Sequence, residues 1–312
     1  MRALKEEVRE GLTGPGPKRL PSHLLYDDLG SALFEAITHL PEYGLTRADA
    51  RILSRNARDI VRAAGAPGAV AELGSGSGRK TRWILEALAD REEREIRYFP
   101  IDLSASALAQ CRVELGDIPR VRIELIEADY LAGLERAVRG AGATERLLVL
   151  FLGSTIGNFE PREAEEFLRR VRGVLRSGDA LLLGTDLMRS PSRLIPAYDD
   201  SLGVTAAFNR NILVRLNREL GAGVDVTRFE HEARWNEAES RVEMHLVARE
   251  RAMVASNGIR VELEPGETIW TESSYKYAPG DAAAMGERAG FVAGGTWTDE
   301  EWPFAETLLQ VP

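Results

Sequence analysis

Short apolar runs alternate with longer amphipathic segments between Ala69 and Leu187. The apolar runs predict buried strands, which are, in order, AVAEL, IRYFPIDL, RIELIEADY, RLLVLFLG and ALLLGTDL. The intervening segments include KTRWILEALAD, SASALAQCRVEL and PREAEEFLRRVRGVL, whose apolar spacing predicts helices. Strands joined by helices of this length indicate a parallel sheet with helices on both faces, so we expect an α/β fold.

The alternation of strand and helix stops after Asp186. A long helical stretch follows, and then the segment FEHEARWNEAESRVEMHLVARE, which predicts an antiparallel hairpin. The pattern therefore predicts a change of architecture at this point of the chain.

Composition narrows the class of protein. With 312 residues, 44% hydrophobic and 29% charged, the chain can bury a full core and is long enough for one large domain or two. A net charge of −9 leaves no basic surplus for nucleic acid or anionic lipid, which favours a small-molecule ligand. The single cysteine, Cys111, excludes an internal disulfide and fits a reducing compartment. No apolar run approaches the roughly 20 residues of a membrane helix, so we expect a cytoplasmic protein.

Unusual residues follow the predicted strands, where ligands of parallel α/β sheets bind. The first such segment is ELGSGSGRKT, in which Gly74 and Gly76 let the backbone turn sharply and let a ligand approach it closely. Arg79 breaks the third-glycine position of the dinucleotide fingerprint. The spacing therefore suits a nucleoside without a pyrophosphate.

Two acids end the next two predicted strands. Asp102 is placed to accept hydrogen bonds from both ribose hydroxyls, and Asp129 to accept one from an adenine amino group. Taken singly, each acid fits a helix N-cap or a solvated strand end equally well. Three candidate sites at successive strand ends favour a nucleoside pocket.

The order of glycine loop, ribose acid and base-side acid resembles the class I S-adenosylmethionine-dependent methyltransferases. A more specific set of motifs resembles the histidine Nα-methyltransferases of ergothioneine biosynthesis, which make hercynine. From about Leu20 to the C-terminus these motifs are YDDLGSALFEAITHLPEYGLTR, ELGSGSGRKT, FLGSTIGN, LLLGTDL, AYDDSLGVTAAFNRNIL and TESSYKY.

This resemblance implies a two-domain arrangement and a cofactor. It implies a Rossmann-like methyltransferase domain formed by residues 48–186 and 278–312, and an α+β substrate-binding domain formed by residues 1–47 and 187–277. The implied cofactor is S-adenosyl-L-methionine, and the implied partner is free L-histidine, bound by a monomer. The residues expected to bind the cofactor are Glu72, Gly74, Gly76, Lys80, Asp102, Asp129 and Tyr130.

The resemblance also implies roles around the substrate amine and carboxylate. Gly153 is expected to offer its backbone to the amine, and Tyr26 to lie near that amine through water. Asn158 and Tyr198 are expected to donate to the carboxylate. The alternative for the GSTIGN segment is a strand-to-helix turn in which Asn158 or Ser154 satisfies local backbone groups.

At the far end of the substrate, Glu272 and Ser274 are two residues apart on a predicted strand, so they point to the same face. A carboxylate and a hydroxyl can meet the two nitrogens of an imidazole, and the family places its imidazole-recognising pair at these positions. Met244 and Tyr43 match residues that line this pocket. For Met244 alone, core filling is the alternative.

Other functions stay open at this point. The family usually has a second tyrosine where this chain carries Gly44, so another aromatic amino acid such as tryptophan is an alternative substrate. A nicotinamide-dependent dehydrogenase and a non-catalytic binding protein are further alternatives. The histidines show no paired ligand spacing, so no metal site is expected; they are His23, His39, His231 and His245.

Overall fold

The computed structural model describes residues 2–91, 93–142, 144–256 and 259–312. Its α-helices are α1 (Arg2–Thr13), α2 (Asp28–Thr38), α3 (Leu45–Ala63), α4 (Arg82–Arg91), α5 (Ala105–Leu115), α6 (Tyr130–Ala141), α7 (Pro161–Val174), α8 (Pro191–Leu194), α9 (Val204–Leu220) and α10 (Asp281–Arg288). Short 3₁₀ turns lie at Ser22–Leu25, Arg79–Thr81, Thr155–Asn158, Ile195–Ala197 and Val226–Arg228. No helix in these described ranges is both long enough and apolar enough to cross a bilayer.

The strands are β1 (Ala69–Leu73), β2 (Ile96–Asp102), β3 (Val121–Ile123), β4 (Ile126–Glu127), β5 (Leu147–Phe151), β6 (Ala180–Asp186), β7 (Phe229–Asn236), β8 (Arg241–Ala248), β9 (Ala252–Ser256), β10 (Ile259–Leu263), β11 (Thr268–Tyr275), β12 (Val292–Asp299) and β13 (Phe304–Gln310). The chain divides into two compact units. The larger comprises Leu45–Met188 and Tyr277–Pro312, and the smaller comprises the described residues up to Gly44 together with Arg189–Lys276.

The larger unit is built on one sheet with the strand order β12-β13-β6-β5-β1-β2-β3, and β4 also pairs with β2. Strands β1 to β6 pair in parallel, whereas β13 runs antiparallel to both β6 and β12. The predicted α/β fold is confirmed. The chain leaves β1 toward β2 and later returns to its other side with β5, so the sheet has its switch point between β1 and β5. Ligands of such sheets bind there.

Burial explains why the strands are so apolar. Every residue of β1 and of β5 is buried, as expected for parallel strands that are covered on both faces. Helix α3 packs against β12 and β13, and α6 packs against β1 and β2. The prediction of one continuous third strand is wrong, because that segment forms two short strands, β3 and β4, which pair with different parts of β2.

The smaller unit combines helices with antiparallel strands. Its main sheet has the order β11-β8-β7, and β9 and β10 form a separate hairpin. The predicted hairpin is confirmed, since β7 pairs antiparallel with β8 from Phe229 opposite Ala248 to Asn236 opposite Arg241. Helix α9 packs against α2 and against β7. The unit therefore has the mixed α+β character that the resemblance implies.

Candidate functional site

The glycine loop after β1 is held to the end of β2. Gly74 and Gly76 both have positive φ angles, of 71° and 51°. The Gly74 and Ser75 amides donate to the carbonyl of Ile101, at 2.8 and 3.1 Å. The Gly76 amide donates to Asp102 Oδ2 at 3.0 Å, and Oδ1 of the same carboxylate accepts from the Ser104 amide at 2.9 Å. The structure thus joins the glycine loop, which is predicted to bind a nucleoside without a pyrophosphate, to Asp102, which is predicted to bind the ribose.

Glu72 lies beneath this loop rather than at its surface. It is 3% exposed, and its Oε2 accepts hydrogen bonds from Thr81 Oγ1 at 2.6 Å and from the Tyr98 hydroxyl. Burial raises the pKa of Glu72 to about 7, although the hydrogen bonds from Thr81 and Tyr98 oppose the rise. These contacts tie the start of the loop to its end, so the side chain supports the loop. Direct contact of Glu72 with a cofactor stays a prediction.

Asp129 and Tyr130 stand at the start of α6. Asp129 Oδ1 accepts from the Leu131 and Ala132 amides at 3.1 and 2.9 Å, which is the N-cap role weighed for this acid. The carboxylate is exposed and both cap bonds use Oδ1, so Oδ2 can accept from a ligand as well. The Tyr130 ring packs edge-on against Phe151, and a Cβ on Gly74 would lie 3.3 Å from Tyr130 Cε1. Glycine is thus what keeps the loop close to this ring.

The loop after β5 carries a second polar cluster. The amide of Gly153 donates to Asp49 Oδ2 at 3.0 Å, and the Lys80 ammonium donates to the same oxygen. Burial lowers the pKa of Lys80, but the charge of Asp49 and its hydrogen bond outweigh that effect, so the net shift is upward. Lys80 and Gly153, predicted separately, therefore share one carboxylate. Because the Gly153 N–H is engaged with Asp49, the carbonyl of Gly153 is the backbone group at this position that can accept a hydrogen bond from a ligand.

Sequence reasoning missed Asp49. Its signal is an acid on the apolar face of an amphipathic helix: in α3 it lies beside buried Ala48 and Ile52 and is itself 0% exposed. A buried carboxylate requires partners, which Lys80 and Gly153 supply. Asn158, unlike Asp49, was predicted from the sequence. It is the last residue of the 3₁₀ turn after Gly153 and is half-buried.

Residues predicted to recognise the imidazole come together in the smaller unit. Glu272 lies on β11, is 8% exposed, and stands opposite Met244 of β8, which is 2% exposed. The Tyr26 hydroxyl donates to Glu272 Oε1 at 3.3 Å. Burial raises the pKa of Glu272 to about 7, against the opposing effects of the Tyr26 hydrogen bond and the Lys276 charge. Tyr26, expected near the amine, is thus linked to the proposed ring-binding carboxyl.

Ser274 and Tyr198 form a second pair with a lysine that sequence reasoning missed. The Tyr198 hydroxyl lies 2.8 Å from Ser274 Oγ, and the Lys276 ammonium donates to both oxygens at 2.7 Å. The signal for Lys276 was the strand alternation: positions 272, 274 and 276 share one face. The side chains of Glu272, Ser274 and Lys276 are all buried.

Aromatic rings complete this part of the smaller unit. Tyr43 packs edge-on against Tyr198, with ring centroids 6.3 Å apart, and against Phe34 at 6.2 Å. Tyr26 packs against Phe34 at 5.6 Å and against Phe208 at 5.4 Å. The rings connect the two polar pairs through one aromatic cluster. Among the residues that the structure describes, no group of three or more His, Cys, Asp or Glu side chains could hold a metal ion.

Fold and site together define the class. A parallel sheet with its antiparallel strand β13, a glycine loop after β1 and a carboxylate at the end of β2 make this a class I methyltransferase that uses S-adenosylmethionine. Residues 4–311 match the family model described as histidine-specific, SAM-dependent methyltransferase. The chain belongs to this family.

Similar proteins agree with this placement. The chain is 43% identical over 309 residues to the histidine N-alpha-methyltransferase of Mycolicibacterium smegmatis, covering 98% of this chain and 94% of that one. It is 31% identical over 286 residues to ergothioneine biosynthesis protein 1 of Neurospora crassa, covering 91% of this chain and 32% of that one. It is also 28% identical over 336 residues to the L-tryptophan methyltransferase of Psilocybe serbica, covering 96% of this chain and 90% of that one.

Proposed function

We propose that the protein is an S-adenosylmethionine-dependent Nα-methyltransferase that converts L-histidine to Nα,Nα,Nα-trimethylhistidine. Three successive methyl transfers to the same amine give this product, hercynine, in the first step of ergothioneine biosynthesis. The observation that carries the choice of substrate is the buried Glu272 carboxyl on the same strand face as Ser274.

Imidazole and indole differ in what they require of such a pair. A neutral imidazole has one N–H donor and one nitrogen acceptor, whereas an indole has only the donor. Glu272 can accept from the N–H of either ring. The Ser274 hydroxyl can in addition donate to the second nitrogen of imidazole, which an indole lacks. The pair therefore favours histidine over tryptophan, and Met244 and Tyr43 supply apolar contact beside it.

Residues of the larger unit suit the cofactor. Gly74 and Gly76 give the positive-φ loop that allows close approach, and Asp102 keeps lone pairs for two ribose hydroxyls. Asp129 Oδ2 can accept from the adenine amino group, with Tyr130 beside the loop. The Lys80 ammonium suits the carboxylate of the cofactor's amino-acid part. When bound, S-adenosylmethionine supplies an electrophilic methyl group on a sulfonium.

The chain's own task is to position a neutral amine. The amine of a free amino acid is more basic than the α-amino group of a chain, which titrates at about 8, so only a small fraction of it is unprotonated at neutral pH. The Gly153 carbonyl can accept an amine N–H and so orient the lone pair, while Asn158 and Tyr198 donate to the carboxylate. The cofactor would supply the methyl carbon, and its sulfur would leave as a neutral thioether with the electrons of the broken C–S bond while the amine lone pair forms the new N–C bond. After each of the first two transfers the ammonium would release a proton to water, and we propose that Tyr26 lies near that water. Alignment of this kind can lower a barrier by roughly 7 to 11 kcal/mol.

Repeated transfer requires that the growing cation be tolerated. After the third transfer the nitrogen carries a fixed positive charge and no N–H. Tyrosine faces attract such cations through the ring quadrupole, and Tyr26 and Tyr43 lie in the aromatic cluster of the smaller unit. We therefore propose that these rings help the site to retain the partly methylated amino acid.

The test is mass spectrometry of products formed from S-adenosylmethionine and an equimolar mixture of free amino acids that includes histidine and tryptophan. Selective appearance of trimethylhistidine supports the cofactor, the substrate and the ring assignment together. Methylation of tryptophan instead would retain the methyltransferase reaction and refute the roles of Glu272 and Ser274. An absence of any methylated amino acid would refute the proposed function.

We further propose that the enzyme acts in the cytoplasm, as a monomer, on free amino acid. The net charge of −9 supports a small-molecule substrate rather than nucleic acid or a membrane surface. Light scattering of the active protein tests the monomer, since a stable dimer would double the measured mass.

A further inference from the structure

A buried lysine directly after β11 closes a triangle of polar groups. Lys276 is 4% exposed, and its ammonium donates to the Tyr198 hydroxyl oxygen and to Ser274 Oγ, each at 2.7 Å. The two hydroxyl oxygens lie 2.8 Å apart. The Lys276 backbone amide donates to the Ser240 carbonyl at 2.8 Å, which anchors the residue at the end of the strand.

Burial of a lysine at this point needs an explanation. Lysine is rarely fully buried, because its ammonium loses hydration and its side chain loses rotamer freedom. Packing alone would be served by an apolar side chain of similar length. The ammonium lies instead within hydrogen-bond distance of two groups proposed to bind the substrate, and 4.7 Å from the centroid of the Tyr198 ring.

Hydrogen-bond chemistry shows what the ammonium does to these groups. An ammonium donates and cannot accept, so both hydroxyl oxygens act as acceptors toward Lys276. The bond between the two hydroxyls uses only one hydroxyl proton. When a ligand replaces that bond, both hydroxyls can turn their protons toward the ligand, while each oxygen keeps a hydrogen bond from Lys276. The lysine therefore lets both hydroxyls act as donors without leaving a buried oxygen unsatisfied.

The proposed substrate needs donors at two places. Its carboxylate requires donors throughout, and the ring nitrogen that does not face Glu272 requires one donor. The charge of Lys276 also lowers the pKa of Glu272 against the effect of burial, which favours the carboxylate form that accepts from the ring N–H. One lysine is thus placed to act on groups proposed for both ends of the amino acid.

We propose that Lys276 is a positioning residue for the amino-acid substrate, holding Tyr198 as a donor to the carboxylate and Ser274 as a donor to the ring. The inference rests on the proposed histidine methylation. It predicts that loss of the ammonium weakens histidine binding and leaves S-adenosylmethionine binding unchanged, because the cofactor residues belong to the larger unit.

The test compares Lys276→Met with wild type and with Lys18→Met. Lys18 is a matched control, since it lies in the same unit but pairs with Glu267 at 2.9 Å, away from the triangle. We expect Lys276→Met to raise the Kd and KM for histidine at least about tenfold, which corresponds to about 1.4 kcal/mol. The Kd for S-adenosylmethionine should stay within about twofold in both variants.

Two further readouts separate positioning from a merely structural role. Histamine lacks the carboxylate, so Lys276→Met should weaken its binding less than that of histidine. In a double-mutant cycle, Lys276→Met should also have a smaller effect in a Tyr198→Phe background, because the hydroxyl through which it acts is gone. Lys276→Gln, which keeps a neutral NH₂ group as donor, should lie between wild type and Lys276→Met, and it is the variant to use if Lys276→Met does not fold.

The measurements distinguish a failure of the inference about Lys276 from a failure of the proposed function. If the wild type methylates a different amino acid, the proposed substrate is wrong, and the same variants are measured with that amino acid, whose carboxylate arm is the same. Unchanged substrate affinity in both Lys276 variants overturns the inference. Equal losses for histidine, histamine and S-adenosylmethionine, or full additivity with Tyr198→Phe, also overturn it.

Discussion

Replacement of Glu272 by glutamine should separate the stability of the protein from its affinity for histidine. Burial raises the pKa of Glu272 to about 7 from its ordinary value of 4.5, even though the Tyr26 hydrogen bond and the Lys276 charge oppose that rise. The folded protein therefore holds a proton on this carboxyl in a pH range where the unfolded chain has released it. Glutamine has nearly the same shape and does not ionise.

The magnitude follows from the difference between the two pKa values. At about 1.4 kcal/mol per pH unit, it amounts to about 3 kcal/mol. Below pH 4.5 both states are protonated and the contribution to stability is fully present. This contribution to stability decreases as the pH rises from 4.5 through about 7, and above about pH 7 the whole of it has been lost. Glutamine lacks this loss, so its advantage over wild type should grow by about 3 kcal/mol between acid and alkaline pH.

The assay is urea unfolding of wild type and Glu272→Gln at about pH 4 and about pH 8.5, with free energies compared within each pH. Glu237→Gln is the control, because Glu237 is an exposed glutamate of the same unit. At the higher pH, Glu272→Gln should also bind histidine more weakly, since the ring N–H loses its carboxylate acceptor. Parallel pH profiles for wild type and Glu272→Gln would refute the reasoning about burial, and unchanged histidine affinity would refute the assignment of the ring.

Three further substitutions test the larger unit. Asn158→Ala should raise the Kd for histidine about tenfold or more and leave that for S-adenosylmethionine unchanged in calorimetry; equal losses would mean that the side chain is structural. Asp102→Ala removes the proposed ribose acceptor and the partner of the Gly76 amide, so the Kd for S-adenosylmethionine should rise roughly a hundredfold in the same assay. Gly74→Ala puts a Cβ at a φ of 71° and 3.3 Å from Tyr130, and should lower the free energy of unfolding by about 1 to 3 kcal/mol and weaken cofactor binding. Gly173→Ala, where a Cβ would meet nothing within 4 Å in helix α7, should not destabilise the protein in parallel denaturation.

The order of strands and helices could be predicted because its signal is local. Buried parallel strands read as continuous apolar runs; β5 does so in full, and β1 does so except at Glu72. The sequence missed the division of the third strand, since the break between β3 and β4 depends on how each pairs with β2. A pairing between distant segments leaves no periodic mark in either one.

Candidate residues divide in the same way. Gly74, Asp102 and Gly153 could be found because they stand at the end of a predicted strand or directly after it, where ligands of this fold bind. Asp49 and Lys276 carried weaker signals. Asp49 is an acid on the apolar face of a helix, and Lys276 follows Glu272 by four residues, so strand alternation predicts that both point to one face. Each has meaning only beside partners that are distant in the chain, such as Lys80 for Asp49 and Tyr198 for Lys276.

The sequence by itself therefore determined the alternation of strands and helices, the edge of the sheet that carries the candidate ligand-binding residues and, through its motifs, the family. Only the tertiary structure decided that Gly153 and Lys80 share the Asp49 carboxylate, and that Lys276 joins Tyr198 to Ser274. The physical reason is the separation along the chain between the residues that interact. Strand and helix periodicity depends on neighbours a few residues away, whereas the partner of a buried charge is chosen by packing between segments far apart in the chain.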